Sequence, residues 1–131
     1  MNTKAILAGA GAVAGYIFGG LDLLLEAFCI ILIADTVSGM IKGFITGTYA
    51  SRKFRIGLWR KSGYMLAIIL AVQLDRILGD TGALRGALLF CFIANEATSI
   101  VENLGEIGVP MPDAVKNAIA ILRNKSGRND I

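Results

Sequence analysis

No histidine occurs among the 131 residues. That excludes Ser-His-Asp and Cys-His nucleophile systems and any histidine-ligated metal. Cysteine is almost as scarce. Cys29 and Cys91 both lie inside apolar runs, with neither a CxxC spacing nor a disulfide framework, and they read as small apolar fillers. The two prolines, Pro110 and Pro112, come late, so no proline interrupts a helix over the first 109 residues. Charge is thin as well: 18% of the chain is charged and 55% is hydrophobic, against about 25% and roughly 45–50% in an average soluble domain. A chain this short leaves much of its surface exposed and cannot hide that excess in one core. Length allows a single domain, residues 1–131. A soluble enzyme is therefore disfavoured, and no catalytic residue, metal or cofactor is expected.

What is present is a set of apolar segments, at 5–19, 21–45, 63–78 and 83–104. A membrane span needs about 20 mainly apolar residues. The first segment is short for that and poor in large side chains. Only Ile6, Leu7, Val13, Ile17 and Phe18 contribute the roughly −0.3 to −0.6 kcal/mol that a strongly apolar residue brings to insertion. A secretory signal peptide is the rival reading of this stretch, but Lys4 alone makes a thin basic start. After the prolines, residues 112–123 place Val115, Ile119 and Leu122 on one face of a helix that lies on a surface or packs on a partner. A polar tail, 124–131, closes the chain. The expected fold is an all-α integral membrane protein with three to four transmembrane helices and a C-terminal amphipathic helix on the cytoplasmic side.

Orientation follows from lysine and arginine. Between the second and third segments, the stretch 46–62 carries Arg52, Lys53, Arg55, Arg60 and Lys61 with no acid, and the C-terminal region adds Lys116, Arg123, Lys125 and Arg128. The turn near residue 80 balances Arg76 and Arg85 against Asp75 and Asp80. The positive-inside rule puts the basic loop 46–62 and the C-terminus on the cytoplasmic side, and that turn outside. The net charge of +3 is thus read as orientation, not as nucleic-acid binding. Arg52, Lys53, Arg55, Arg60 and Lys61, interleaved with Phe54, Leu58 and Trp59, form an interfacial segment suited to anionic membrane lipids.

A polar residue at the centre of a span costs on the order of 2.5–3.5 kcal/mol if charged, so each one calls for a reason. Asp35, Ser38, Gly39, Lys42 and Thr46 share a helical stripe in the second segment. Asn95, Ser99, Glu102 and Glu106 share one in the fourth, with Glu96 and Asn103 at its flank. Such stripes face each other or water, not lipid. Either they are bundle glue, with Asp35 or Glu96 paired to Lys42 or an interfacial base, or they line an aqueous path between several copies of the chain. Gly11, Gly15 and Gly19 repeat every fourth residue, a strip that lets helix backbones approach within or between chains.

Four ordered motifs resemble the toxin-secretion and phage-lysis holins, small membrane proteins of phages and clostridial toxin loci. They are ADTVSGMIKG at 34–43, SRKFRIGLWRKSGY at 51–64, Leu74-Asp75, and FIANEATSIVENLGEIGVPMP at 92–112. The resemblance covers roughly residues 20 to 122 and is most specific in the last motif. It singles out Asp35, Gly39, Gly57, Lys61, Asp75, Asn95, Glu96, Ser99, Glu102, Asn103, Gly108 and Pro110. It implies a homo-oligomer that permeabilises the bacterial cytoplasmic membrane at a set time, so that an endolysin or a large toxin leaves the cell without contacting it. An antiholin, an inhibitory relative built on the same interfaces, is one alternative. A small oligomeric ion channel or transporter subunit, with midspan Asp and Glu as ion sites, is the other.

Overall fold

The computed structural model describes residues 2–127, and among them there are five α-helices and no strand. The last four residues of the expected tail, 128–131 with Arg128, lie outside the described residues. In chain order the helices are α1 (Thr3–Phe18), α2 (Leu23–Thr46), α3 (Ser51–Ile77), α4 (Ala83–Glu106) and α5 (Asp113–Lys125). Their ends follow local chemistry. The Asn2 side chain accepts from the Lys4 amide at 3.1 Å to start α1, and the Asp22 carboxylate accepts from the Leu25 amide at 3.0 Å to start α2. Gly19 and Gly47, at φ of 79° and 71°, end those two helices in the left-handed conformation that glycine adopts without steric cost. Pro112 precedes α5, with Asp113 in its first turn and Arg123 and Lys125 in its last, so both ends suit the helix dipole.

One expected boundary moves. The basic stretch 46–62 is not a loop, because only residues 47–50 separate α2 from α3 and everything from Ser51 is helical. The segment expected at 63–78 is therefore the second half of a 27-residue helix, about 40 Å long. The physical reason lies in SRKFRIGLWRKSGY: it has no proline, and its Arg, Lys and Leu residues are good helix formers. The reversal before it is tight. The chain folds back so that the Tyr49 amide donates to the Gly43 carbonyl at 3.0 Å, and a Cβ on Gly43 would lie 3.1 Å from the Tyr49 backbone.

α4 is the central helix, packed against α2, α3 and α5, while α1 lies along α3. The core is a column of Leu25, Phe28, Leu32, Ile68, Val72, Leu89 and Ile93. The outer faces are apolar too. Ile30, Ile33, Val37, Ile41 and Phe44 form one exposed stripe down α2, and Leu66, Leu70 and Ile77 stand exposed on α3. The buried groups, by contrast, include Asp35, Ser38, Asp75, Arg85, Glu96 and Asn103. Charge inside and hydrocarbon outside is the reverse of a soluble bundle. Among the described residues α2 and α4 are long and apolar enough to cross a membrane, and α1 is a shorter apolar helix.

A candidate intramembrane polar site and its relatives

The site is built from the middle of three helices. Lys61 of α3 places its Nζ 2.7 Å from Asp35 Oδ2 on α2 and 2.5 Å from Glu96 Oε2 on α4. All three side chains are withdrawn from solvent, Glu96 most of all at 2% exposure. One ammonium thus serves two carboxylates from two different helices. Asn103, two turns beyond Glu96, donates to Ser38 Oγ at 3.0 Å and reaches Asp35 Oδ1 at 3.4 Å, while the Ser38 hydroxyl donates back to the Asp35 carbonyl. The α2 stripe read from sequence therefore does turn inward at Asp35 and Ser38.

On α4 the inward line is the flank pair, Glu96 and Asn103, seven residues apart. Asn95 and Ser99 are half-buried beside it, and Glu102 and Glu106 are exposed. Lys42 stays out of the triad and sits 3.7 Å from Glu106. Lys61, grouped above with the interfacial bases, is the base that pairs with Asp35 and Glu96, the place that the bundle-glue reading left open to Lys42 or an interfacial base. It lies ten residues into a continuous helix, directly after the exposed Arg60. The other members of that group, Arg52, Lys53, Arg55, Trp59 and Arg60, are exposed. Gly39 lies against Asn103, with its notional Cβ in ordinary contact, 3.6 Å, with Nδ2. Gly15 meets the Leu21 side chain, whereas Gly11 has open space around it.

Immediately beyond the triad, away from the basic end, the same three helices contribute an aromatic layer. Tyr64 and Phe92 stack with centroids 4.2 Å apart, and Phe28 packs obliquely on both at 6.4 and 6.2 Å. Leu25, Ile68, Val72 and Leu89 continue it. This apolar plug separates the triad from a second polar cluster at the far end, about 16 Å away along α4 by helix rise.

That second cluster is a clamp on Arg85. Its guanidinium forks onto Asp22 with two contacts of 2.9 Å and also donates to the carbonyls of Phe18 and Gly20 at 2.6 and 3.0 Å. Bidentate pairing of this kind is the strong form of an ion pair. Asp22 lies just ahead of α2, and the Arg85 hydrogen bonds hold its carboxyl below the usual carboxylate range. Asp75, from the last turns of α3, accepts from the amides of Leu84 and Arg85 at 3.0 and 2.9 Å and so caps α4 in place of the missing cap at Gly82. A Cβ at Gly19 would stand 2.9 Å from the Arg85 side chain, so this residue both ends α1 and makes room for the clamp. Asp22, Asp75 and Arg85 look in sequence like an ordinary charged turn; the only hint was the Leu74-Asp75 motif.

α5 packs along α4. Val115, Ile119 and Leu122 are half-buried against it, Arg123 Nη2 donates to Thr98 Oγ1 at 3.1 Å, and the Lys125 ammonium lies 5.7 Å from the Phe90 ring centre. The partner that the amphipathic pattern called for is thus the chain's own α4.

Comparison with known proteins places this arrangement in a family. Residues 12–124 match the profile of the bacteriophage holin family. An uncharacterised protein of Listeria monocytogenes is 35% identical over 122 residues, covering 93% of this chain and 87% of its own. An uncharacterised 14.9 kDa protein of Clostridium perfringens is 33% identical over 116 residues, covering 88% of each. A probable holin of Bacillus phage phi105 is 34% identical over 109 residues, 83% of this chain and 80% of that one. No solved structure matches. With the profile running from the middle of α1 to the last turn of α5, the chain belongs to the bacteriophage holin family.

Proposed function

We propose that this protein is a working holin of the bacterial cytoplasmic membrane, which assembles with copies of itself and opens, at a set time, a lesion through which an endolysin or a large toxin leaves the cell. The relative named as a probable phage holin supports lysis as the context. Three spans are α2, the second half of α3 and α4, with the basic end of the bundle cytoplasmic; α1 adds a fourth when it inserts.

The observation that carries the mechanism is the triad. Three charged groups from three helices sit between apolar outer faces. Turned toward lipid they would cost roughly 8–10 kcal/mol together, at 2.5–3.5 kcal/mol each. They are therefore stable only when shielded, as in this bundle, or when facing water. Packing of many chains supplies the second option: helices that rotate against one another bring Asp35, Lys61 and Glu96, with Ser38, Asn95, Ser99 and Glu102, to the wall of an aqueous path. The closed bundle and the open assembly then differ by which partner meets the same stripe. Membrane potential biases the choice, since a unit charge moved fully across is worth about 2.3 kcal/mol per 100 mV.

Induced expression in a bacterium, with membrane potential and release of a folded cytoplasmic reporter followed together, tests this. A quiet interval ending in abrupt depolarisation with reporter release is expected, and Asp35→Ala should change its length without preventing insertion. Depolarisation with the reporter retained would replace the large lesion by a small-pore holin or a selective channel. A chain that inserts and has no effect is an antiholin.

A further inference from the structure

Beside the triad, between the basic ends of α2 and α3 and the second half of α4, lies a cavity of about 270 Å³. Asp35 and Lys61 form its buried floor, where the Lys61 ammonium is already held by the Asp35 and Glu96 carboxylates. Its rim carries the half-buried Lys42 and the exposed Lys53 and Arg60. Lys42 stands near Glu106, whereas among the described residues neither Lys53 nor Arg60 has an ion-pair partner. The first turn of α3 reaches the same rim, has no side-chain cap and contains no acid. Phe54 and Leu58 supply an apolar wall. The volume sits at the lower edge of the ~300–1,000 Å³ of small-molecule sites, enough for a headgroup and too small for a whole lipid.

We propose that this cavity binds one phosphate group, that of an anionic lipid in the cytoplasmic leaflet, with the lipid tails lying outside against Phe54 and Leu58. Two observations combine to give this. Unpaired cations on a concave rim attract an anion, and the apolar wall beside them suits an amphiphile rather than a free ion. A diffuse basic surface would engage lipids through any of its bases; a cavity engages them through Lys53 and Arg60, and not through Arg52 and Arg55, which carry the same charge on the same helix outside it. The proposal rests on the membrane reading above, in that it needs the start of α3 at headgroup depth. A bound lipid would bridge α2, α3 and α4 at the triad's open side and tie closure of the bundle to the composition of the membrane.

The full-length protein is reconstituted in mixed phosphatidylcholine–phosphatidylglycerol vesicles, extracted in mild detergent and weighed intact with its retained lipids. One phosphatidylglycerol per chain is expected, with about 30-fold weaker retention in the Lys53→Gln/Arg60→Gln variant, at the usual worth of a basic side chain near an anionic surface. The control variant Arg52→Gln/Arg55→Gln should retain lipid as the unmodified chain does; equal loss in both variants overturns the cavity site. Equal retention of phosphatidylcholine overturns it as well. Excess inorganic phosphate distinguishes the sources: displacement of the lipid shows that the phosphate alone is recognised, and no displacement shows that the lipid is. A chain that enters vesicles but holds no lipid sinks this proposal and leaves the membrane reading standing, whereas one that fails to enter them sinks both.

Discussion

At the scale of single residues, Lys61 and Arg85 play opposite parts in energetic terms. Lys61 joins two carboxylates in a buried site, and removing one member of such a cluster typically costs 3–5 kcal/mol because the rest stay buried and unpaired. Lys61→Met should therefore lower thermal stability in detergent by about that much, read by circular dichroism. Replacing all three by apolar residues (Asp35→Leu, Lys61→Met, Glu96→Leu) should restore the melt to near its original value while abolishing lysis. Loss of stability in the triple variant too would make the triad structural glue and nothing more. Arg85 is tied to a half-exposed acid instead. Because the Asp22 carboxyl is held below its ordinary range, the pairing stabilises the fold above that range and is lost as pH falls through the lowered value. The difference in melting temperature between the unmodified chain and Arg85→Met should thus be full at neutral pH and shrink in acid. A part will persist there, since Arg85 also holds the carbonyls of Phe18 and Gly20. A difference that does not change with pH would remove the Asp22 pairing from the account.

At the scale of elements, the helices differ in what stabilises them. α2 and α4 share the buried polar face and the core column. α5 is held by a single amphipathic face and the Arg123–Thr98 contact. α1 is attached chiefly at its end, through the Arg85 contact at Phe18 and the Arg76 guanidinium, which donates to the Tyr16 carbonyl and lies 4.2 Å from the Tyr16 ring centre. The rest of α1 is largely exposed, and a side chain built at Gly9 or Gly11 would point into open space. Small residues permit close helix approach in lipid. If that surface pairs with another copy, Gly11→Leu should leave the melt of the extracted chain unchanged and reduce cross-linked oligomers in membranes several-fold. Unchanged cross-linking would assign assembly to another helix.

At the scale of the whole molecule, two polar clusters lie at different heights with an aromatic and aliphatic plug between them. The basic hairpin near Thr48 and the balanced hairpin near Thr81 sit at opposite ends of the bundle. With Cys29 and Cys91 replaced, Thr48→Cys should react with a membrane-impermeant thiol reagent only from the cytoplasmic side, and Thr81→Cys only from outside. Labelling of both from one side would contradict the parity on which the span assignment rests.

Much of this was legible in the chain itself, for local reasons. The two late prolines marked the boundary before α5, because a breaker acts within a turn. The inward stripe of α2 was legible because 3.6-residue periodicity fixes which side chains share a face. The absence of histidine excluded histidine-dependent nucleophile systems before any contact was known. What periodicity cannot decide is which of two adjacent stripes meets a neighbour. Glu96 with Asn103, rather than Asn95 with Glu102, faces α2 because α4 must also present Leu89 and Ile93 to the core, and that rotation is a property of the packed helices. The same holds for Lys61, whose basic neighbours disguised it, and for the Arg85 clamp, whose partners lie 63 residues or more away in the chain. Sequence alone determined that the chain is helical, apolar and polarised by charge. Tertiary structure decided which charges neutralise one another, because the energy of a buried ion depends on distances that only packing sets.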